Sequence, residues 1–485
     1  MNNLLIWPVA LPLAGALIAM LWPRRAGLIG IIAGLATSLV SILVLLEVTR
    51  GGVLVLALGG WETGLGIALR ADALAGVLLV MSALVALAAS IYATGYFTKP
   101  ETRRHFWPLW LLLLAALHGL LLSADLFNVY VNLELLGLSA VTLAALGGTV
   151  DAVRAALRYL VVGLLGSMAF LAGVALVYAR YGTLDMIALT GALQPEPAAW
   201  VAFALMSAGL LIKCALFPLH FWLPPAHANA PAPVSAALSA LVVKVAFYLI
   251  IRLWLELFQP ALTPAVSWLL GLLGAGAVLW GSLNALAAQR LKLLAAYSTV
   301  AQLGYLFLFF PLLVTLAPGG AREMAFGALV LLALTHGFAK SALFLAAGVV
   351  QQRLGHDRIV DMGGTARALP VTLFTLALAG IALVGLPPSG TFLAKWQLIS
   401  SAFDTGQWFW VPVIGIGSML SAAYIFRVLG HAMKLDDEVT RSPLWIGGEL
   451  SALALALVAT GVLGLGAATL WDWVAPEAYA MEARP

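Results

Sequence analysis

Residues 213–218 read Lys213-Cys214-Ala215-Leu216-Phe217-Pro218, and they fall inside an apolar run that extends from about residue 199 to residue 222. A charged side chain and a helix-breaking proline inside one lipid-length segment decide the reading of the whole chain. Holding a charge at bilayer depth costs several kcal/mol, about 3 per residue on insertion scales, so such residues mark ion or proton paths by default. The same feature recurs. Lys244, Lys340 and Lys395 each sit within a long apolar run, and so does one carboxylate, Glu134.

Composition agrees. The 485-residue chain is 63% hydrophobic and only 9% charged, against about 25% charge in a soluble domain. The expected fold class is an all-α polytopic membrane protein. Nothing suggests nucleic acid: the net charge is +4, and the few basic residues lie where membrane topology would put them. The single cysteine, Cys214, has no internal partner, and no Cys or His spacing resembles a zinc, haem or iron–sulfur site. No nucleotide loop is present. The expectation is therefore no cofactor, no metal, and no catalytic or redox site on this chain. An oxidoreductase label would belong to an assembly that contains it.

Runs of about 20 apolar residues place about fourteen transmembrane helices. They lie near 3–22, 26–48, 71–96, 107–122, 124–146, 153–178, 199–222, 231–257, 263–286, 293–312, 323–350, 368–402, 408–432 and 446–470. The first run lacks a basic n-region and carries Arg24 and Arg25 after it, so it reads as a span and not as a signal peptide. Residues 51–70 are glycine-punctuated around Trp61 and read as a small β-hairpin over the membrane face, or as an irregular loop.

Alternating the loops sorts the basic residues. Arg24, Arg25, Lys99, Arg103, Arg104, Arg154, Arg158, Arg290, Lys292, Arg353, Arg358, Arg367, Arg427, Lys434 and Arg441 fall on one side. Only Arg50, Arg70, Arg180, Arg322 and Arg484 fall on the other, with Arg252 leaning there. The positive-inside rule makes the first side cytoplasmic and puts both termini in the periplasm of a bacterial inner membrane.

Segments 7 and 12 are interrupted, by Pro218 and by Pro387-Pro388-Ser389-Gly390, and each carries a lysine. Corresponding broken helices point to an inverted-repeat transporter. The expected organisation has N-terminal helices 1–3 with the hairpin 51–70 in residues 1–106. Two inverted five-helix repeats follow, helices 4–8 in 107–258 and helices 9–13 in 259–432. Helix 14 and the tail fill 433–485.

Each charge has a structural and a functional reading. Glu134 is a hydrogen-bonded packing carboxylate or a titrating group. Lys213, read as at least nine residues from either end of its helix, is roughly 13 Å from the interface, beyond easy snorkelling. It is a locking ion pair or a proton carrier, since burial disfavours the charged form of lysine. Lys340 follows His336 by one turn on the same face, an arrangement that suits a relay. Lys395 is a carrier or a snorkelling charge. His118 reads as structural. His220 and His227 read as loop residues beside Pro224-Pro225. Ser207, Ser235, Ser239, Ser298, Thr299, Gln302 and Thr335 hold water between the lysines or pack helices. Taken together, a carboxylate and four lysines on segments 5, 7, 8, 11 and 12 suggest a line of carriers along the midplane. A self-contained transporter of a small solute would gather its charges at one place, and a scaffold would not need them.

The residues that carry a family resemblance are 213–244, KCALFPLHFWLPPAHANAPAPVSAALSALVVK, with 125–139, DLFNVYVNLELLGLS. To these are added 336–344, HGFAKSALF, and 385–392, GLPPSGTF, ahead of Lys395, and 59–67, GGWETGLGI, with Asp72. They resemble the antiporter-like subunits of respiratory complex I and their relatives in Mrp-type cation/proton antiporters and membrane-bound hydrogenases. The resemblance implies a subunit that moves protons beside other membrane subunits, with sodium exchanged in some members. Glu134 and Lys213 would be the coupled pair of the first half-channel. Lys244, Lys340 and His336 would be the central relay, and Lys395 the exit. Three departures stand out. Pro225 replaces a frequent aspartate. The chain ends soon after segment 14, without a long lateral helix. Lys395 stands where the middle complex I subunit has a carboxylate, so the length and pattern resemble the D-type subunit of Mrp antiporters and the smaller complex I relatives.

Overall fold

The computed structural model describes residues 2–60, 66–435 and 446–479. Trp61, Gly64, Arg441 and Arg484, used in the sequence reading, lie outside the described residues. In a bilayer core every backbone N–H and C=O must be satisfied within the chain, so apolar segments of this length become helices. Twelve helices among the described residues are long and apolar enough to cross a membrane. Two shorter apolar helices, Pro197–Lys213 and Pro370–Val384, fall where segments 7 and 12 were read as interrupted.

In chain order the helices are α1 (Trp7–Leu21), α2 (Ala26–Gly51), α3 (Ala73–Tyr96), α4 (Pro100–Leu122), α5 (Leu126–Ala145), α6 (Val150–Tyr181) and α7 (Pro197–Lys213). They continue with α8 (Leu223–Asn229), α9 (Ala232–Leu257), α10 (Pro264–Ala287), α11 (Leu291–Thr315) and α12 (Gly320–Leu354). The last are α13 (Pro370–Val384), α14 (Gly390–Asp404), α15 (Trp410–Ala432), α16 (Ile446–Leu465) and α17 (Ala467–Tyr479). Helices α9 and α12 are buried along their whole hydrophobic length, and α11 nearly so. The charged lysines Lys244 and Lys340 are therefore on the central helices, not on the lipid-facing ones.

Both breaks follow from proline. Pro218 and Pro387 offer no N–H and disfavour helical backbone at the residue before them. Helix α7 therefore stops at Lys213, and the chain turns before re-entering as the short α8. This corrects the expectation that Lys213 lies at least nine residues from either end of its helix: it is the last residue of α7. The freed carbonyl of Ile212 accepts from the Trp222 indole N–H at 3.0 Å. Close helix approach relies on small residues. A Cβ placed on Gly209 of α7 would clash with the Gly166 carbonyl oxygen of α6.

The hairpin forms as read. Strand β1 (Leu54–Ala57) pairs antiparallel with β2 (Ala68–Ala71), with Leu54 opposite Ala71. Its β2 edge is covered by the link between α4 and α5, where Leu69 bridges Ser123 and Ala124 N–H donates to Ala68 O at 3.0 Å. Asp72 then caps α3 through Ala75 N–H at 3.0 Å. It also pairs with Arg252 of α9 and, at 3.2 Å, with Arg70. Arg252 further pairs with Glu256, and Arg70 reaches Glu256 at 3.2 Å. Asp72 is fully buried and Arg252 nearly so. Removing one partner of a buried ion pair leaves an uncompensated charge, at a cost of roughly 3–5 kcal/mol. Arg252→Ala is thus expected to destabilise the chain by about that amount. The thermal unfolding of the purified protein would read it, and an unchanged midpoint would show that the network holds nothing together.

Candidate functional site

Lys213 and Glu134 share one pocket. It is lined also by Gly137, Tyr159, Gly163 and Val242. Glu134 lies in α5, and its buried Oε1 accepts no hydrogen bond. A Cβ on Gly137, one turn further along α5, would lie 3.9 Å from Lys213 Nζ. Gly137 thus faces the ammonium at van der Waals distance. The two charges face one cavity, but among the described residues they form no ion pair within 4.0 Å. The floor is aromatic: Tyr159 stacks on Trp222 at 4.3 Å.

Lys244 follows a π-helical turn, Leu238–Val242, in α9. Its Nζ donates to Ser239 O at 3.3 Å. It borders two further cavities, with Tyr248 and Ile251 on one side and Met81 and Ser82 on the other. It also lies against α12, because a Cβ on Gly337 would be 3.6 Å from Lys244 Cε. The neighbouring His336 is buried, and neither ring nitrogen has a hydrogen-bond partner.

Lys340 Nζ donates to Ala295 O at 2.8 Å and to Ser298 Oγ. Two hydroxyls lie between the carbonyls that hold these lysines. Ser239 Oγ is 2.8 Å from Thr299 Oγ1, which donates in turn to Ala295 O at 3.0 Å. A row of polar groups thus runs from Lys244, on the Ser239 carbonyl, past the two hydroxyls to Ala295 O, which also accepts from Lys340. From there α11 presents Ser298, Gln302 and Tyr305 at helical spacing on one face. Tyr424 reaches Ser298 and Gln302, and donates to Ser421 at 3.1 Å. Gln302 Nε2 donates to Leu383 O at 2.8 Å.

Lys395 takes the next carbonyl. Its Nζ donates to Val384 O at 3.1 Å and to Ser418 Oγ at 2.9 Å, and lies 4.2 Å above the Tyr305 ring. Lys395 is buried, so it is not a snorkelling charge in this chain. All six residues singled out from sequence therefore lie on buried or pocket-facing positions. Lys244, His336 and Lys340 are brought together directly. Lys395 joins them through the polar face of α11, and Glu134 and Lys213 form a separate chamber.

Other polar residues sort differently. His118 is structural: it is 2.9 Å from Ser82 Oγ and 2.9 Å from Pro8 O, tying α4 to α3 and α1. Ser207 accepts from the Trp254 indole at 2.9 Å, a packing role. His227 corrects the loop reading. It is fully buried in α8, stacked on Phe344 at 5.4 Å, with both ring nitrogens unpartnered. His220 is buried as well. The chain re-enters after Pro218, so residues that look like loop in sequence are packed inside. Lys292 is a second correction. Read as a cytoplasmic loop charge, it is buried and donates to Ala230 O, while its own N–H donates to the Asp357 carboxylate at 3.3 Å. Its position just inside α11 was the available signal.

Known proteins resemble this chain along most of its length. A chain named NADH-quinone oxidoreductase subunit N, from Desulforudis audaxviator, is 39% identical over 77% of this chain and 74% of its own. The D-type subunit of the Na(+)/H(+) antiporter of Alkalihalophilus pseudofirmus is 29% identical over 98% of this chain and 96% of its own. A chain in the structure of the Mrp complex from Dietzia superposes with a TM-score of 0.89 at 26% identity, covering 99% of this chain and 98% of that one. Residues 123–421, well over half the chain, match the NADH:quinone oxidoreductase/Mrp antiporter transmembrane family, and the chain belongs to that family.

Proposed function

We propose that this chain is a proton-translocating, antiporter-like subunit of a multisubunit membrane complex, of the Mrp or complex I type. The observation that carries the proposal is the row of buried polar groups from Lys244 past Ser239 and Thr299 to Lys340, continued along α11 to Lys395. Its lysines and hydroxyls can exchange protons through intervening water, whereas the Ser239, Ala295 and Val384 carbonyls only accept. The charges are spread over several helices and not gathered in one pocket, which speaks against a self-contained transporter for a solute.

In this reading Glu134 sets the field at Lys213. At an effective dielectric near 20, charges about 7 Å apart interact by roughly 2 kcal/mol, enough to change a proton affinity more than tenfold. Lys213 then exchanges with Lys244, water beside the Ser239 and Thr299 hydroxyls would carry the proton to Lys340 with His336 beside it, and Lys395 releases it. The proposed organisation keeps fourteen crossings, α7 and α13 being completed by the segments after their breaks. Inverted repeats would occupy 107–258 and 259–432, between an N-terminal unit at 1–106 and a C-terminal one at 433–485. Both termini would face the periplasm of a bacterial cytoplasmic membrane. The partners would be other membrane subunits, and the carried ions protons, with sodium as a counter-ion in an Mrp-type assembly.

Two outcomes test this. Lys213→Ala, in inverted vesicles containing the native complex, is expected to abolish proton flux with assembly intact. Unchanged flux would reduce Lys213 to a structural charge. Thr299→Val keeps the shape and removes the hydroxyl link, leaving Ser239 short of a partner at a cost of about 1–3 kcal/mol. Flux is expected to fall by roughly tenfold or more, as for loss of a positioned proton-transfer group. Wild-type flux in a correctly assembled Thr299→Val complex would route the proton elsewhere.

A further inference from the structure

Away from the lysine line, one pair of carboxylates has no ion-pair partner among the described residues. Asp125 and Asp185 stand opposite each other in an isolated antiparallel bridge on the hairpin face. The flanking bonds run from Leu126 N–H to Leu184 O at 2.9 Å and from Met186 N–H to Ala124 O at 2.8 Å. That pattern defines a non-hydrogen-bonded pair, whose Cα atoms approach to about 4.5 Å and whose side chains project from the same side. The backbone itself therefore sets the two carboxylates next to each other.

Each aspartate commits one oxygen to a helix start. Asp125 Oδ1 accepts from Asn128 N–H at 2.7 Å. Asp185 Oδ1 accepts from Ile187 N–H at 2.8 Å and Ala188 N–H at 3.1 Å. The other oxygen of Asp185 is buried and accepts nothing, in a residue only 2% exposed. Neither aspartate belongs to an ion pair among the described residues. Arg180, the nearest preceding cation in sequence, is held by Glu196 at 2.7 Å. Burial, and secondarily the facing Asp185 carboxylate, push the Asp125 carboxyl above its ordinary range, against the pull of the Asn128 and Phe127 N–H groups.

A buried anionic oxygen without a donor is costly, and like charges across a bridge add to the cost. One cation between them relieves both. The available ligands are oxygens only: two carboxylates, and water from the open side of the half-buried Asp125. Oxygen ligands select a hard cation, and two carboxylates match a divalent charge. Calcium tolerates irregular geometry, whereas magnesium demands a near-ideal octahedron.

We propose that Asp125 and Asp185 bind one divalent cation, calcium by ligand type and geometry, and that it pins the α4–α5 link to the α6–α7 link beside the hairpin. The site is separate from the proton line, and its fate does not depend on that reading.

Asparagine caps a helix about as well as aspartate, so Asp125→Asn and Asp185→Asn remove charge and spare both helix starts. The test is calcium titration calorimetry on the purified, chelator-treated complex. The wild type is expected to take up one calcium per chain more than the double variant, and each single variant to bind at this site roughly tenfold or more weakly. Calcium should also raise the unfolding temperature of the wild type alone. Equal uptake by wild type and double variant overturns the proposal, as does a site that takes sodium and no calcium. Should the double variant fail to assemble, Asp125→Asn alone makes the same comparison, since its side chain is partly in solution.

Discussion

The bilayer core contains no water to solvate a charge, and most of this structure answers that constraint. Each buried ammonium has to be given an acceptor by the chain itself. Three of the four lysines take a backbone carbonyl. Lys395 takes Val384 O at the open end of α13, Lys244 takes Ser239 O within a π-turn, and Lys340 takes Ala295 O of α11. Two of those carbonyls lie where regular α-helix is interrupted. The proline break after α13 and the π-turn of α9 are thus part of how the charges are tolerated. Lys213 is the exception: it ends its helix and faces a cavity shared with a carboxylate.

This explains what the sequence revealed and what it concealed. The spans were legible because hydropathy is a long-window property, and the breaks because proline acts locally. The buried lysines were legible because a charge inside an apolar run has few other readings. What the sequence hides is where the helix of Lys213 ends, since its apolar run continues past the point where the helix stops. His227 and Lys292 were misjudged for a related reason. The chain re-enters after Pro218, and a re-entrant segment is as rich in proline, histidine and asparagine as a surface loop. The Asp125–Asp185 pair left no sequence signal beyond two ordinary helix caps. Their juxtaposition comes from a backbone bridge between distant links. The hydroxyl link through Ser239 and Thr299 looked like ordinary helix-packing polarity until the partner atoms were known.

The hairpin face closes the bundle by a different means. There the charges are paired, not isolated. Asp72, Arg70, Arg252 and Glu256 neutralise one another and fasten the hairpin and α3 to the end of α9. Because α9 also carries Lys244, a rigid anchor at its end fixes the height of that lysine against α12. Arg252 adds a contact 4.9 Å above the Tyr248 ring, and Tyr248 donates to Leu121 O at 2.9 Å, extending the anchor to α4.

The two broken helices are alike in construction and unlike in charge, and that difference has a mechanical consequence. Lys213 has a carboxylate in its pocket, so the charge state of Glu134 acts on it directly. Around Lys395 the contacts are a carbonyl, a hydroxyl and an aromatic face, all neutral. A neutral cage holds an ammonium but cannot switch it. In the proposed route, whatever changes the charge on Lys395 would have to arrive along α11 from Lys340, or from a group outside this chain. The Lys213 end of that route would then be set by its own carboxylate, while the Lys395 end would only respond. The route would gain a direction from one acidic residue that shares the Lys213 pocket and is absent from the contacts of Lys395.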